Sequence, residues 1–416
     1  MTKEKVDIDA SWFGAIPETW SITKVKWLGR FINGYAFKPE DWGNEGLPII
    51  RIQNLTDPEK ESNHFNGDLD DKYLVTKGDY LISWSATLDV FKWEKENAYL
   101  NQHIFKVTLN RENIEYKYFY WLAKVFMEEM NSSKHGSTMQ HVTKSVFDNF
   151  KVPLPPRDVQ LIIANFLDEK VSEIDSIVEN TKQSIKELKK YKQSLITETV
   201  TKGLDPNVEM KDSWIEWVEK IPKHWEINYL NQYFTQHKFK NEGLKENNLL
   251  SLSYGKIIRK NINTTDGLLP QSFENYNIID NGDIVLRLTD LQNDKKSLRV
   301  GLATERGIIT SAYITLRKTY KIDTNYIYYY LHSFDIYKGF YGLGSGVRQG
   351  LTYDGLKRLQ ILHPPLHEQE EISGYLNDKA SQIDELIKKK EELLVELESY
   401  KKSLIYEYIT GKKEVI

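Results

Sequence analysis

The sequence contains no cysteine, which excludes disulfides, thiol catalysis and cysteine-ligated metal sites. It has no run that approaches the ~18–20 consecutive apolar residues needed to span a bilayer. The N-terminal stretch, Met-Thr-Lys-Glu-Lys, also lacks the apolar core of a signal peptide. These absences predict a soluble protein of the cytoplasm.

The chain also has little net charge of either sign. Its 56 Lys and Arg residues oppose 60 Asp and Glu residues, which leaves a net charge of −4. Because phosphate contacts need Lys and Arg, this balance does not by itself indicate DNA binding, and any such surface must be a local patch. The length of 416 residues exceeds the ~100–200 residues of one domain, so more than one core is expected.

No complete catalytic motif is visible. Gly255-Lys256-Ile257 and Gly411-Lys412-Lys413 lack the Ser or Thr that must follow the lysine of a P-loop. Asp168-Glu169-Lys170 matches the short acidic unit of magnesium nucleases, but it lies on a predicted helix and its repeat counterpart begins with Asn377. The nine histidines are scattered, which argues against a metal site. The sequence therefore predicts a protein that is not an enzyme.

What the sequence does contain is an internal repeat. The two halves align without a gap from about Gly136 to Thr201, at a shift of 209 residues. The matches include Gln140 with Gln349, Pro155-Pro156 with Pro364-Pro365, Gln160 with Gln369, Ile174-Asp175 with Ile383-Asp384, Ser194–Ile196 with Ser403–Ile405 and, at a slightly smaller shift, Ile16-Pro17 with Ile221-Pro222 and Gly78-Asp79 with Gly282-Asp283. The repeat predicts two copies of one structural unit.

Each copy begins with a mixed module, in residues 1–155 and 206–364. Short runs rich in Tyr, Ile, Val and Thr, broken by Gly, Asn and Asp, predict strands between turns. The predicted strands are Pro48–Gln53, Tyr80–Trp84, Ile104–Leu109, Asp283–Leu288 and Ser311–Leu316, and the predicted aromatic helices are Tyr116–Met130 and Asn325–Tyr337. Each module is therefore expected to be an α+β domain with a twisted sheet.

Each copy ends in a long amphipathic helix, in residues 156–205 and 365–416. Apolar residues recur there at spacings of three and four, with Glu and Lys on the other faces. The Pro-Pro pairs favour helix starts, and Gly203 and Gly411 favour helix ends. Because a single apolar stripe needs a partner, the two helices are predicted to pair within the chain. An antiparallel pairing would relate the two copies by a pseudo-twofold axis, but the apolar pattern alone leaves the orientation open.

Polar segments near the end of each module are the predicted DNA contacts. Arg can bond guanine bidentately, Gln can bond adenine, and Lys suits phosphates. The predicted contacts in residues 131–144 and 341–352 are Lys134, His135, Thr138, Gln140, Lys144, Ser345, Arg348 and Gln349. Further predicted contacts are Arg51, Gln53, Trp84, Lys92, Arg259, Arg287, Lys296 and Arg299. An ordinary solvated surface is the alternative interpretation of each residue.

The sequence resembles the specificity subunits of type I restriction–modification enzymes. The resemblance is carried by Gly136–Thr138, Val152–Pro156, Gln160, Phe166–Asp168 and Ile174-Asp175, and in the second copy by Gln349, Pro364-Pro365, Glu368-Gln369 and Ile383-Asp384. It implies two target-recognition domains, each of which reads one half of a split, asymmetric DNA site. It also implies that the helices form an antiparallel coiled coil and dock two methylation subunits, which motor-nuclease subunits then join.

The same resemblance implies a non-catalytic subunit of a prokaryotic cytoplasm, associated with the nucleoid through DNA. It places no metal or cofactor on this chain, and it places S-adenosylmethionine, Mg²⁺ and ATP on the partner subunits. Two alternatives stay open on the sequence alone. One is a coiled-coil interaction protein without direct DNA binding, and the other is an enzyme such as a nuclease with an unrecognised site.

Overall fold

The computed structural model describes residues 5–6, 12–57, 59–132, 142–262, 270, 272–291, 298–343 and 350–415. The chain divides into two compact units, one of residues 1–181 with 392–416 and the other of residues 182–391. Both divisions fall inside long helices, so each unit combines a globular module with segments of two helices. Among the described residues, none of the helices has the length and apolar character needed to cross a membrane.

The first unit holds two four-stranded sheets, with strand orders β4-β11-β8-β9 and β6-β5-β10-β7, and the short ladders β1-β2 and β3-β12. Its strands are β1 (Lys5–Val6), β2 (Ile16–Pro17), β3 (Ser21–Lys24), β4 (Gly29–Asn33), β5 (Leu47–Ile50), β6 (His64–Phe65), β7 (Leu74–Val75), β8 (Tyr80–Ser83), β9 (Asp89–Lys92), β10 (Ala98–Leu100), β11 (Ile104–Leu109) and β12 (Lys151–Leu154). Its helices are α1 (Ile52–Thr56), α2 (Tyr116–Ser132), α3 (Lys144–Asn149) and the first part of α4 (Arg157–Lys202).

Strand β8 separates two hydrophobic cores of this unit. Because side chains alternate between the faces of a strand, Tyr80 and Ile82 pack in the core that contains α2, and Leu81 packs in a second core with Ile50 and Trp93. All four β8 residues are buried, which explains why its sequence is almost continuously apolar.

The second unit repeats the first of these sheets as β16-β23-β20-β21, but in place of the other four-stranded sheet it has the two-stranded ladders β17-β18 and β19-β22, and it also contains the ladders β13-β14 and β15-β24. Its strands are β13 (Met210–Ile215), β14 (Val218–Pro222), β15 (Glu226–Tyr229), β16 (Phe234–Gln236), β17 (Leu250–Ser253), β18 (Lys256–Arg259), β19 (Asn277–Ile279), β20 (Ile284–Leu286), β21 (Val300–Leu302), β22 (Gly307–Ile309), β23 (Ile314–Lys318) and β24 (Gln360–His363). Its helices include α5 (Thr324–Ile336), α6 (Gly339–Leu343), α7 (Tyr353–Leu356) and most of α8 (Leu366–Ile409).

The predicted mixture of strands and helices is confirmed, with errors at the ends of strands. The predicted strand Ser311–Leu316 starts too early, because β23 begins only at Ile314. The aromatic helices and both long helices form where the sequence predicts them. The predicted strand Pro48–Gln53 is wrong at its end, because Ile52 begins α1. The buried Asn54 causes this turn, since its Oδ1 accepts from the Arg51 amide at 3.1 Å and its Nδ2 donates to the Lys60 carbonyl at 3.1 Å.

A buried glutamine fixes the start of each long helix. The Gln160 Oε1 accepts from the Glu115 amide at 2.8 Å, and its Nε2 donates to the Pro155 carbonyl at 2.9 Å. The side chain of Gln369 repeats this pattern, with the Asp323 amide at 3.0 Å and the Pro364 carbonyl at 2.8 Å. Each glutamine thus ties the aromatic helix of its module to the first turn of the long helix.

Within each unit, the segments of α4 and α8 run antiparallel. In the first unit, Asp175 accepts from Lys401 at 2.7 Å, and the ring centroid of Phe166 lies 4.6 Å from that of Tyr408. In the second unit, the repeat counterparts of the first pair meet again, with Lys192 and Asp384 separated by 2.6 Å. The same interhelical contact therefore occurs in both units.

Replacing Gln160 by Ala is expected to destabilise the first module. Each buried backbone group that is left unsatisfied costs roughly 1–3 kcal/mol, so the free energy of unfolding should fall by about 2–4 kcal/mol. Gln183→Ala is the matched control, because Gln183 is exposed on the same helix and should change stability by only about 0.5 kcal/mol. Chemical denaturation measures both variants, and equal small losses would show that the buried amide is dispensable.

Candidate nucleic-acid interface

The first module contains a crevice at one edge of its sheet, where β4, β8 and β11 meet the start of α3. Its volume is about 330 Å³, and it is lined by Asn33, Trp84, His103, Phe105, Val142, Thr143 and Lys144. The Trp84 indole Nε1 donates to the Asn33 Oδ1 at 3.0 Å, and its ring lies edge-on to His103 with centroids 5.2 Å apart. The crevice thus combines aromatic faces with amide, imidazole and hydroxyl groups, which suit base edges and the thymine methyl group.

Lys144 places a positive charge beside this crevice. Its ammonium lies 5.5 Å from the Phe105 ring centroid and 5.9 Å from those of Phe31 and Phe147. It also pairs with Asp148, one turn along α3. The exposed end of the side chain is therefore held against the aromatic wall, where it is placed to meet a phosphate.

A second crevice of about 290 Å³ shares His103 with the first and is also lined by Arg51, Trp42, Gln53 and Gln102. The Arg51 guanidinium carbon lies 4.9 Å from the Trp42 ring centroid, and its Nη1 donates to the Asn63 Oδ1 at 3.4 Å. Contact with the indole ring positions the guanidinium, whose fork of donors is the group that recognises guanine. Four of the predicted contacts in the first module thus lie along one stretch of surface, namely Arg51, Gln53, Trp84 and Lys144.

Two other predicted contacts are held in ion pairs. Lys92 lies 2.5 Å from Glu94, and the hydrogen bond between them raises the pKa of the Lys92 ammonium. The Arg259 Nε donates to Glu305 at 2.8 Å, and this hydrogen bond raises the pKa of the guanidinium. A DNA contact by either residue requires it to exchange a carboxylate for a phosphate.

Arg299 corrects a prediction. Its side chain is fully buried, and its Nη1 donates to the carbonyl groups of Arg287 and Thr289, each at 3.0 Å. Its backbone amide donates to the Asp335 carboxylate at 2.6 Å. Because these donors already hold the chain that follows β20, Arg299 is a structural residue. Arg287 is half-buried beside it and contributes the carbonyl group to this network.

The remaining predicted contacts, Lys134, His135, Thr138, Gln140, Lys296, Ser345, Arg348 and Gln349, lie outside the described residues. They stay predictions.

The fold adds residues that sequence reasoning missed. Asn33, Trp42, Gln102, His103 and Thr143 line the two crevices, although more than 100 positions separate the first from the last. Their proximity follows from the strand register, in which Phe105 pairs with both Asn33 and Ile82. No local pattern in the sequence encodes that register.

Comparisons with known proteins agree on one kind of protein. Residues 17–190 match the family model described as the type I restriction modification DNA specificity domain. The chain is 26% identical to the type I restriction enzyme EcoBI specificity subunit of Escherichia coli over 238 residues, 55% of this chain and half the length of that relative. It is 25% identical to the MjaVIII specificity subunit of Methanocaldococcus jannaschii over 424 residues, 96% of this chain and 94% of that relative.

Solved structures show the same fold. A chain from work on complex assembly and conformational transition of the type I R-M system aligns with a TM-score of 0.69 at 14% identity, covering 96% of this chain and 99% of that chain. The HsdS subunit from Thermoanaerobacter tengcongensis aligns with a TM-score of 0.53 at 15% identity, covering 96% and 98%.

Arg51→Lys is expected to weaken binding to a specific DNA duplex while leaving binding to unrelated duplexes unchanged. Lysine keeps the charge but loses the planar fork, and a bidentate base contact contributes about 1–3 kcal/mol of discrimination. Arg111→Lys is the control, because Arg111 also lies over an aromatic ring, that of Tyr116 at 5.9 Å, but does not line either crevice. Dissociation constants on specific and unrelated duplexes measure the effect, and an equal loss on both would refute base recognition by Arg51.

Proposed function

We propose that this chain is a specificity subunit of a type I restriction–modification complex and selects the DNA sequence for that complex, because the family model, the relatives and the solved structures all point to this kind of protein. In this proposal each module reads one half of a split, asymmetric site in double-stranded DNA. Specificity subunits are the non-catalytic members of these complexes. The chemistry that uses S-adenosylmethionine, Mg²⁺ and ATP would then lie on partner subunits, and the complex would work in the prokaryotic cytoplasm, at the nucleoid.

The observation that carries the proposal is that one sheet architecture presents different side chains in the two modules. Phe105 pairs with Ile82 in the first sheet as Ile314 pairs with Leu286 in the second, which aligns the two registers. The crevice residues and their counterparts are Asn33 with Lys238, Trp84 with Leu288, His103 with Ala312 and Lys144 with Tyr353. The amide, indole, imidazole and ammonium groups of the first module are thus replaced by an ammonium, two aliphatic side chains and a phenol, as two unlike half-sites require.

The two long helices would dock the methylation subunits and set the gap between the half-sites. Both helices expose apolar side chains at equivalent positions, with Ile177 48% and Leu386 44% exposed, and Tyr191 58% and Tyr400 56% exposed. Each unit therefore carries one member of each equivalent pair, and within a unit the two residues come from different helices. A duplicated apolar surface of this kind suits two copies of one partner.

Exchanging residues 1–150 for the corresponding module of a relative is expected to change only one half of the methylated sequence. The reason is that each module carries its own crevice residues and its own hydrophobic core. Sequencing the methylated bases of a host that expresses the complex measures the outcome, and exchange of residues 206–364 is the control that should change the other half.

A change in both halves would contradict modular recognition. An unchanged sequence would favour a coiled-coil interaction protein that does not contact DNA. Magnesium-dependent cleavage of DNA by the purified chain alone would instead favour an enzyme.

A further inference from the structure

Two lysine side chains of the first module converge on a single neutral oxygen atom. The Lys24 Nζ lies 3.2 Å from the Asn149 Oδ1, and the Lys26 Nζ lies 3.4 Å from the same atom. One amide oxygen cannot neutralise two ammonium groups, so their mutual repulsion remains. Asn149 is the last residue of α3, the helix whose first residue, Lys144, lines the sheet-edge crevice.

A third lysine adds to this charge. Lys151 on β12 is the direct cross-strand partner of Lys24 on β3, which places both side chains on the same face of the ladder. Like charges at directly opposed positions destabilise a strand pair. Within the described parts of the chain, none of Lys24, Lys26 and Lys151 has a carboxylate within ion-pair distance. An anion from outside the chain would relieve the repulsion between these three ammonium groups.

The surroundings of these lysines suit a nucleic-acid backbone. Trp27 is 61% exposed, and the Lys26 ammonium lies 5.2 Å from its ring centroid. Asn149 lies five positions after Lys144 in α3, which corresponds to about 7.5 Å along the helix axis. A duplex strand that passes the crevice can thus reach the lysines within about two phosphates, since each strand carries one phosphate for every ~3.4 Å of helix axis.

The second module lacks this cluster. The β15-β24 ladder pairs Tyr229 with Gln360 where β3-β12 pairs Lys24 with Lys151, and the counterpart of Lys26 is Asn231. The equivalent ladder of the second module therefore forms without lysine at these three positions.

We propose that Lys24, Lys26 and Lys151, with Trp27 beside them, bind backbone phosphates of the DNA strand that passes the crevice of the first module. The cluster holds the duplex in register without reading bases, so it contributes affinity and not specificity. This proposal rests on the proposed function, because it requires that the first module contacts DNA.

The double substitution Lys26→Asn and Lys151→Gln tests it, because each new residue is the one that the second module carries at the equivalent position. The full chain, assembled with its methylation subunits, is titrated with the methylated motif and with an unrelated duplex between 50 and 200 mM NaCl. The slope of log K against log salt is negative, and the loss of two phosphate contacts is expected to make it shallower by about 1.8, equally for both duplexes. The control is Lys72→Gln, since Lys72 already pairs with Asp70 at 3.1 Å and should leave the slope unchanged.

The outcomes separate the two claims. If the wild-type complex does not bind the duplex, the proposed function fails. If the wild type binds but the double variant keeps its slope and affinity, the phosphate site is refuted. If the variant keeps its DNA slope but no longer assembles with the methylation subunits, the lysines bind an acidic protein surface and the proposal is likewise overturned. Thermal unfolding of each variant at the wild-type temperature verifies that it is folded.

Discussion

The direction in which each long helix leaves its module depends on one buried amide side chain. Each of these glutamines, Gln160 and Gln369, accepts a hydrogen bond from the backbone amide that precedes the aromatic helix. The same side chain donates a hydrogen bond to the backbone carbonyl that precedes the long helix. An apolar residue at either position would leave both backbone groups without partners inside the protein, which costs far more than the residue gains by burial. The glutamine therefore holds the module and the start of its long helix together, and the chain contains this glutamine contact twice.

The helix segments add a second duplicated constraint. The interhelical pairs Asp175–Lys401 and Asp384–Lys192 join equivalent residues of the two copies. Burial acts to raise the pKa of Asp384, but Lys192 and the nearby Lys256 outweigh it and hold that pKa below its ordinary value. Such partly exposed pairs contribute little stability, so the apolar seam holds the helices together and the pairs fix their register.

The sequence predicts those features that depend on local periodicity. The helices α2, α4, α5 and α8 form where apolar residues recur at helical spacing. Features that depend on contacts between distant residues were missed or wrong. The crevice depends on the register of β4 against β11. Arg299 is predicted to be an exposed cation, but its position just before β21 buries it against the chain that follows β20. Its burial could not be predicted from residue type, because arginine is almost never buried without partners and those partners are distant in the sequence.

The two copies have diverged unequally. The buried glutamine and the interhelical ion pairs occur in both copies, while the crevice residues and the lysine cluster occur only in the first. The pair Lys24 and Lys151, for example, is replaced by Tyr229 and Gln360 in the second copy. This contrast is expected when the helices meet two identical protein partners and the modules meet two different DNA sequences.

The most direct test of this account is to sequence the methylated bases in a host that expresses the unaltered chain with its methylation subunits. The account predicts one asymmetric motif, with two defined segments separated by a gap of unspecified bases. A continuous motif, or one whose halves are identical by symmetry, would contradict it.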